Sequence, residues 1–506
     1  MILRDIAKIL SVRVICLVLT ILLVACANVT DEVYNGDIYD EPQPREYIMI
    51  QGERLDPELT TLELWRGVTN SEFSTISYLT ELESVSLWID NISDLTPLSG
   101  LTNLTTLRLS GSQISDITPL LSLTNLTLLS IDNAQISDLT PLSGLQNLKS
   151  LTLFNQQISD VSHLSGLANL EVLRLSGNSV RDITGLSDLP NLTYLDLRWN
   201  NVDDLMPIMN LRNLEHLKLT ANPIYDLTPL SDLTRLTYLD LRGSDWFTHG
   251  EISDITPLSG LVNLEFLDLM DHKISDLEPL VGLVNLQELN LSGNQINDLT
   301  PLTYLTNLSS LNLAENQIRN ITALAGMTNL THLNLNSFIH RGGNGSPRTD
   351  AADFNQISDL TPIAGMTNLN RLDLGNNNIS NLTPLANLVE LHYLNLVGNQ
   401  ISDISHIREL TNLFWVELDK NQIIDISPLE NLMNLYFLGL NHNQIIDISA
   451  LANLSNLQHL YLGYNKITSI EPLSELTEWA VLMLRGNPFE DWSPVDHVAN
   501  LWCRPR

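Results

Sequence analysis

The sequence contains few cysteines and few basic residues for its length of 506 residues. Lysine and arginine together number 26 against 59 aspartates and glutamates, which gives a formal net charge of −33. This excess of acid argues against nucleic acid as a partner, because phosphates require a cationic binding surface. Only three cysteines occur. If Cys16 and Cys26 belong to an N-terminal signal, Cys503 has no partner for an internal disulfide.

Motifs that carry catalysis or metal binding are also missing. The sequence contains no G-x-S-x-G, H-E-x-x-H or P-loop pattern. His497 and Cys503 are the best candidate for a catalytic pair, but their position favours a structural cap. His216, His332 and His459 share one repeat column, yet neighbouring members are five strands or roughly 24 Å apart, too far to bind one zinc ion. We therefore expect no enzyme activity, no cofactor and no metal site.

A fixed period of 22 residues dominates what is present. Asp116, Asp138 and Asp160 follow one another at this spacing, and each lies two residues after an Ile or Val. The pattern L-x-x-L-x-L-x-x-N-x-I at this period is typical of a leucine-rich-repeat solenoid. Its Ile, Val or Phe anchor recurs at residues 92, 114, 136, 158, 180, 202, 224, 252, 274, 296, 318, 357, 379, 401, 423, 445, 467 and 489.

Each repeat predicts one short strand and one tight turn. In Leu107-Arg108-Leu109 the leucines point inward and the arginine points outward. Stacked copies form a long parallel concave sheet of about 19 strands in an α/β-type horseshoe or superhelix. On the return arm, the Thr-Pro of Asp116–Leu120 predicts a threonine N-cap followed by a 3₁₀ or short helical turn on the convex side.

Two polar columns accompany the leucines. Asn stands two residues before the anchor in 12 of the 18 copies, from Asn178 to Asn487, where its amide is expected to bond the backbone of the turn. The Asp column suggests either backbone capping or a ladder of calcium sites. Calcium needs 6–8 converging oxygens, and the glycine-rich motif of calcium-binding repeats is missing, so capping is favoured.

The repeat period and its interruptions define the domain organisation. The N-terminal region divides into a signal segment over 1–25, an acidic flexible tether over 26–46, and a cap with an atypical first repeat over 47–78. The repeat array spans 79–486, and a C-terminal cap spans 487–506. Insertions near 243–250 and 336–354 interrupt the period at the same place in the unit, so both are expected to project from one edge.

The N-terminal segment resembles a bacterial lipoprotein signal. Arg4, Lys8 and Arg13 precede the apolar run Val14–Val24, which is too short to span a bilayer, and Leu23–Cys26 matches the Leu-x-Ala-Cys lipobox. The resemblance implies cleavage before Cys26 and acylation of that residue. An ordinary secretory signal or an uncleaved anchor is the alternative interpretation.

The repeat consensus, with its S-D-[LI]-T-P-L arm, resembles the internalin-type repeats of bacterial surface proteins over roughly residues 79–489. This resemblance implies a surface-exposed solenoid whose concave face binds a partner protein. Internalins usually carry an immunoglobulin-like domain and often a wall anchor after the repeats. Neither is recognised here, so a role in host-cell invasion is not inferred.

Aromatic residues are scarce, at 6 % of the chain, yet they cluster at the position just before the strand leucines. Aromatic side chains beside arginine are typical of interface hot spots, whereas ordinary strand propensity is the structural alternative. We expect their rings to be exposed to solvent. The candidate contact residues form two groups: Tyr194, Trp199, His216, Lys218, Tyr238, Arg242, Trp246, Phe247 and Phe266; and Tyr393, Trp415, Phe437, His459 and Tyr461.

Together these patterns indicate a non-catalytic binding protein, held outside the cytoplasm by a lipid on the bacterial cell membrane. The expected ligand is a protein, with a glycan as the next choice. A self-associating envelope scaffold is the main alternative function.

The first prediction concerns the lipid anchor. Changing Cys26→Ser removes the thiol that the lipobox resemblance assigns to acylation, so labelling by a fatty-acid probe should be lost. The protein should also move from the membrane fraction to the supernatant, because stable anchoring needs two acyl chains. A Cys16→Ser variant provides the control and should label normally. Unchanged labelling of the Cys26 variant would contradict the lipoprotein interpretation.

Overall fold

The computed structural model describes residues 48–64, 68–88, 91–111, 113–243, 252–337, 354–498 and 501–502. The chain divides into two compact units, residues 1–47 and 48–506, and only the second is described below. The signal segment, the tether, Cys26, Cys503 and most of both insertions lie outside the described residues, so those predictions remain untested.

The described unit begins with a hairpin and a short helix. Strand β1 (Ile48–Ile50) pairs antiparallel with β2 (Glu53–Leu55), and helix α1 spans Asn70–Thr75. Thr69 caps this helix by accepting a hydrogen bond from the N–H of Glu72, whose side chain accepts one from the Thr69 N–H in return. This hairpin and helix lie within residues 47–78, the segment that the sequence analysis assigned to the cap and the first repeat.

Twenty strands in chain order form one parallel sheet. Each strand pairs with the next, in a register that sets the first leucine of one strand beside that of its neighbour, as Leu217 beside Leu239. Nineteen strands lie at the predicted positions, which confirms the leucine-rich-repeat solenoid, and β22 adds a last short pairing. The strands are β3 (Thr61–Leu64), β4 (Ser84–Trp88), β5 (Thr106–Ser110), β6 (Leu128–Asp132), β7 (Ser150–Thr152), β8 (Val172–Arg174), β9 (Tyr194–Asp196), β10 (His216–Lys218), β11 (Tyr238–Asp240), β12 (Phe266–Asp268), β13 (Glu288–Asn290), β14 (Ser310–Asn312), β15 (His332–Asn334), β16 (Arg371–Asp373), β17 (Tyr393–Asn395), β18 (Trp415–Glu417), β19 (Phe437–Gly439), β20 (His459–Tyr461), β21 (Val481–Met483) and β22 (Leu501–Trp502).

The return arms form short 3₁₀ helices, which confirms the predicted turn on the opposite side of each coil. They span Ile76–Tyr78, Thr96–Leu98, Thr118–Ser122, Thr140–Gly144, Ser162–Leu164, Thr184–Leu186, Met206–Ile208, Thr228–Leu230, Thr256–Leu258, Glu278–Leu280, Thr300–Tyr304, Thr322–Leu324, Thr361–Ile363, Thr383–Leu385, Ser405–Ile407, Ser427–Leu429, Ser449–Leu451, Glu471–Leu473 and Ser493–Val495.

The threonine N-cap predicted for these turns was wrong, whereas the backbone capping favoured for the Asp column is observed. Thr118 is the first residue of its turn, and Ile117 in the N-cap position makes no side-chain cap. The cap comes from Asp116, whose Oδ1 accepts a hydrogen bond from the Thr118 N–H at 2.8 Å. An Asp side chain that accepts from the N–H two residues later forms an Asx turn, and this turn does not require helical geometry at the Asp residue. The same bond recurs along the array, with Asn or Ser in place of Asp in some coils.

Seven apolar side chains fill each coil. In the unit 101–122 all seven are at most 1 % exposed, and they line the sheet, the anchor turn and the 3₁₀ turn in succession. One coil cannot enclose these side chains by itself, so stacking makes them a continuous core. They are Leu101, Leu104, Leu107, Leu109, Ile114, Ile117 and Leu120.

The predicted asparagine column forms a hydrogen-bonded ladder between coils, which we call the amide ladder. Buried Asn443 accepts from the Ile423 N–H at 3.0 Å through Oδ1. Its Nδ2 donates to the carbonyls of Leu418 and Leu440 at 2.9 and 3.2 Å. In an earlier coil Gln156 makes equivalent bonds to Ile136 and to two carbonyls. Each amide therefore joins two successive coils, and a carbonyl such as that of Leu418 accepts hydrogen bonds from the amides of both, Asn421 and Asn443.

A second asparagine column, which the sequence analysis missed, lies at the other end of the strands. Exposed Asn434 donates from Nδ2 to the Thr411 carbonyl of the previous coil at 2.9 Å. Asn125 does the same with Thr102. The T-N-L tripeptide that recurs in the repeat was the available signal.

The second prediction compares these two columns. Asn443→Ala leaves the buried Ile423 N–H without a partner and removes one of the two amide donors from each of the Leu418 and Leu440 carbonyls, so the free energy of unfolding should fall by about 2 kcal/mol. Asn434→Ala leaves the Thr411 carbonyl to bond with water, and should lower the free energy of unfolding by less than about 1 kcal/mol. Urea titration followed by circular dichroism measures both values. Equal destabilisation would contradict the structural role assigned to the amide ladder.

The third prediction concerns acid. Hydrogen bonds from the Thr118 hydroxyl and N–H lower the pKa of Asp116, and Asp94 and Asp138 are lowered in the same way by Thr96 and Thr140. A lowered folded-state pKa gives stability above the unfolded-state pKa that is lost as the pH falls through the folded-state value. The thermal midpoint should therefore drop between about pH 5 and pH 2.

Changing all three aspartates to asparagine retains the acceptor oxygen without the titration, so the midpoint should depend less steeply on pH. Asp188→Asn, an exposed change outside the capping column, should leave the slope as it is in the parent. An unaltered slope in the triple variant would show that the caps do not control acid sensitivity.

Candidate functional site

The sheet register brings the first predicted aromatic group together on four adjacent strands. Tyr194, His216, Tyr238 and Phe266 begin strands β9 to β12 and are direct partners in the strand pairing. We call them the first aromatic row. Their successive ring centroids are 5.7, 5.9 and 4.1 Å apart, and the Tyr238 and Phe266 rings are parallel. Because all four side chains occupy the same position in the repeat, stacking follows directly from the strand spacing.

Four cations surround this row, and two of them lie over its rings. The Arg174 guanidinium is 4.3 Å from the centroid of Tyr194. The Lys218 ammonium lies 5.4 Å from Tyr194 and 4.9 Å from Tyr238. Such cation–π contacts hold the cations at the ring faces. Arg198 and Arg242 complete the set, which we call the cation group.

Arg198 and Arg242 cover carboxylates that lie beneath them. Arg198 donates to Asp196 at 2.7 Å, and Arg242 donates to Asp268 at 3.1 Å. The aspartate side chains are 2 % and 7 % exposed, whereas the arginine side chains are 36 % and 43 % exposed. Burial raises the pKa of Asp268, and the positive charge of Arg242 partly opposes this rise. Burial also raises the pKa of Tyr238 to about 12, so this phenol is neutral at physiological pH.

The second predicted group forms a similar row on strands β17 to β20. Tyr393, Trp415, Phe437 and His459 are neighbours in the strand pairing, and we call them the second aromatic row. Their successive centroids are 6.2, 3.7 and 6.0 Å apart. Tyr461 adds a fifth ring, 5.2 Å from Phe437.

The second row is bordered by carboxylates. Glu417 accepts hydrogen bonds from the Trp415 indole at 2.6 Å and from the Tyr393 hydroxyl at 3.3 Å. Burial raises the pKa of Asp419, which accepts from the Asn441 N–H. Burial likewise raises the pKa of Tyr393. Arg371 lies 3.7 Å above the Tyr393 ring at one end of the row.

Two aromatic pairs, which the sequence analysis did not identify as pairs, extend this surface to both edges of the sheet. Phe414 and Tyr436 stack at 4.9 Å one residue before the second row, and Phe414 is 46 % exposed. His442 and Tyr464 stack at 4.4 Å beyond the strands, where both residues have positive φ. Each pair is spaced by one repeat, which was the signal that could have identified them.

The family model described as Leucine Rich repeats (2 copies) matches more than half of the sequence. The matched segments are residues 80–122, 124–166, 168–207, 262–304, 284–326, 350–387 and 455–497. This chain belongs to the leucine-rich-repeat family.

Solved leucine-rich-repeat structures include bacterial and plant proteins similar to this chain. An internalin (inlF) from Listeria monocytogenes is 33 % identical over 73 % of this chain and 88 % of its own, with a TM-score of 0.49. A leucine-rich-repeat protein of Leptospira interrogans is 22 % identical over 85 % of this chain and 95 % of its own, with a TM-score of 0.54.

The ectodomain of the plant membrane receptor kinase GASSHO1/SCHENGEN3 from Arabidopsis thaliana is also 22 % identical, with a TM-score of 0.63. That structure contains its ligand, Casparian strip integrity factor 2. The match covers 84 % of this chain, which spans 56 % of the receptor ectodomain. No curated protein matches the sequence.

Within this leucine-rich-repeat array, the rings are less exposed than the sequence led us to expect. All nine rings and imidazoles of the two rows and Tyr461 are half-buried, because each ring covers a face of its neighbour. The expectation of freely exposed rings was therefore wrong. Trp199 differs, since it is 50 % exposed in the turn after β9 and has a φ of 56°.

The remaining candidate residues are placed as follows. Trp246 and Phe247 lie outside the described residues. The His497 Nε2 is 3.1 Å from the Leu476 carbonyl, in the cap. No group of three or more His, Cys, Asp or Glu side chains in the described part of the chain is arranged to hold a metal ion. Among the same residues, no helix has the length and apolarity to cross a membrane.

Proposed function

We propose that this leucine-rich-repeat protein binds a protein partner through its two aromatic rows and has no catalytic activity of its own. The observation that carries the proposal is that two stacks, each of four aromatic or imidazole side chains, lie on one face of the sheet at identical repeat positions. Interfaces concentrate binding energy in large aromatic side chains beside arginine, and both are present here. Stacking also holds the rings in place before binding, which lowers the entropy cost of ordering them.

The proposal includes a location outside the cytoplasm, with a lipid at Cys26 anchoring the chain to the bacterial cell membrane. The lipobox and the likeness to internalin-type repeats support this part. The plant structure similar to this chain is likewise the ectodomain of a membrane receptor and holds a ligand.

The fourth prediction tests the two rows separately. Tyr238→Ala with Phe266→Ala removes the parallel pair of the first row, and Trp415→Ala with Phe437→Ala removes that of the second. A row that contacts the partner should lose more than about 100-fold in affinity, or about 2.7 kcal/mol. The partner is first isolated from the native envelope, and affinities are then measured by isothermal titration calorimetry.

A matched control uses tyrosines far from the rows. Tyr225 and Tyr304 are 65 % and 67 % exposed on the return arms, and changing both to alanine should leave the affinity unchanged. Thermal melts accompany every variant, because each lost stacked pair should cost about 0.5–1.5 kcal/mol of stability. If both row variants fold and bind as tightly as the control, the proposal is wrong.

Self-association is the competing function, since the same rings could join copies of this chain into a scaffold. Multi-angle light scattering of residues 27–506 at several concentrations separates the two. A monomer at all concentrations supports partner binding, whereas row-dependent oligomers support the scaffold.

A further inference from the structure

The charge around the first aromatic row is arranged in two layers. Asp196 and Asp268 lie at the base and are nearly inaccessible, while their partners Arg198 and Arg242 remain more than one-third exposed. The carboxylates neutralise part of the arginine charge, but a molecule approaching the sheet meets guanidinium groups first. Each of these two pairs therefore presents its cationic member to an approaching molecule, although the chain as a whole carries −33.

The other two members of the cation group are not used in the salt bridges of the described residues. Arg174 and Lys218 instead rest on the faces of Tyr194 and Tyr238. A ring quadrupole holds a cation without neutralising it, so the positive charge remains available to a ligand. Both side chains are half-buried, which limits their freedom and pre-positions them.

Three further acidic groups lie near the row, and one of them, Asp240, is the direct strand neighbour of Lys218. Half-buried Asp240 accepts a hydrogen bond from the buried Thr220 hydroxyl at 2.6 Å. Glu215, at the strand entrance, is paired with Arg235 at 2.6 Å. Among the salt bridges of the described residues, neither carboxylate bonds to Arg174 or Lys218. Glu265 lies at the same entrance, one residue before Phe266, and so borders the row.

We infer that the first aromatic row and the cation group form a binding site for an acidic segment of a partner protein. Carboxylates would accept hydrogen bonds from the arginine forks, and side chains between them would pack on the rings. This inference rests on the proposed function and specifies the chemistry of one of its two surfaces.

A polypeptide suits this arrangement better than a densely charged polymer. Cations and aromatic faces alternate over adjacent strands, so carboxylates spaced by apolar or aromatic side chains match both kinds of group. A long polyanion would also lie within the Debye length of about 8 Å of carboxylates outside the site, where salt screens their repulsion least, whereas a short acidic segment contacts the site alone. The second row shows that the cation group is not a general property of the sheet, because Glu417 and Asp419 border that row.

The fifth prediction uses a short fluorescent peptide of alternating glutamate and tyrosine. Fluorescence anisotropy should show that it binds the mature chain more tightly than matched peptides with glutamine or lysine in place of glutamate. Arg174→Gln with Lys218→Gln should weaken its binding at least about tenfold, because two cations that lie on the rings outside the described salt bridges are lost. Arg319→Gln with Arg408→Gln removes the same charge from exposed positions outside the site and should change affinity less than about threefold.

Equal binding of the glutamate and glutamine peptides, or full binding by the Arg174/Lys218 variant, would overturn the inference. Tighter binding of dextran sulfate than of the glutamate peptide would overturn the choice of a polypeptide. If the double variant unfolds at a lower temperature than the parent, the salt dependence of peptide binding to the parent chain provides the test. Raising the NaCl concentration should weaken this binding, and unchanged binding would overturn the inference. The aromatic-row variants could lose the native partner while the parent chain binds none of the peptides. That result would retain the proposed function and reject the acidic segment as the ligand of this site.

Discussion

The side-chain amide that joins each coil to the next is the interaction on which the rest of this structure depends. A 22-residue coil turns sharply after its strand and buries backbone groups that the parallel sheet cannot pair. Asn443 satisfies three of them at once, two in the preceding coil and one in its own. Since the same bonds recur at the same spacing, successive coils cannot slip relative to one another without leaving buried groups unpaired.

Because the register is fixed, residues at the same position of successive repeats become neighbours on the surface of the sheet. Once Leu217 lies beside Leu239, the residues before them, His216 and Tyr238, must also be neighbours. Parallel strands are about 4.8 Å apart, which is close to the distances at which aromatic rings stack. A run of aromatic residues at one repeat position therefore becomes a stack, and a binding surface can be placed anywhere along the sheet while the leucine core stays the same.

The sequence predicted the fold almost completely because the core repeats: nineteen strand positions, the 3₁₀ turns and the amide ladder all follow from the period. Predictions that depended on side-chain partners were less successful. Thr118 was predicted to be a helix N-cap, whereas the cap is made by Asp116, a member of the column for which backbone capping was favoured. The two aromatic groups were identified by their column, but the burial of Asp196 beneath Arg198 depends on three-dimensional contacts that no spacing rule contains.

The acidic composition has different physical consequences in different parts of the molecule. Exposed aspartates such as Asp116 cap turns as anions, and their pKa values are lowered by those hydrogen bonds. Asp268, Asp373 and Asp419 lie along the sheet face, and burial raises their pKa values. Beside the first row, Arg242 covers Asp268 and presents a cation; beside the second row, Asp419 has no such cover from an arginine in the described salt bridges. One solenoid core thus supports two aromatic rows that differ in their charged neighbours.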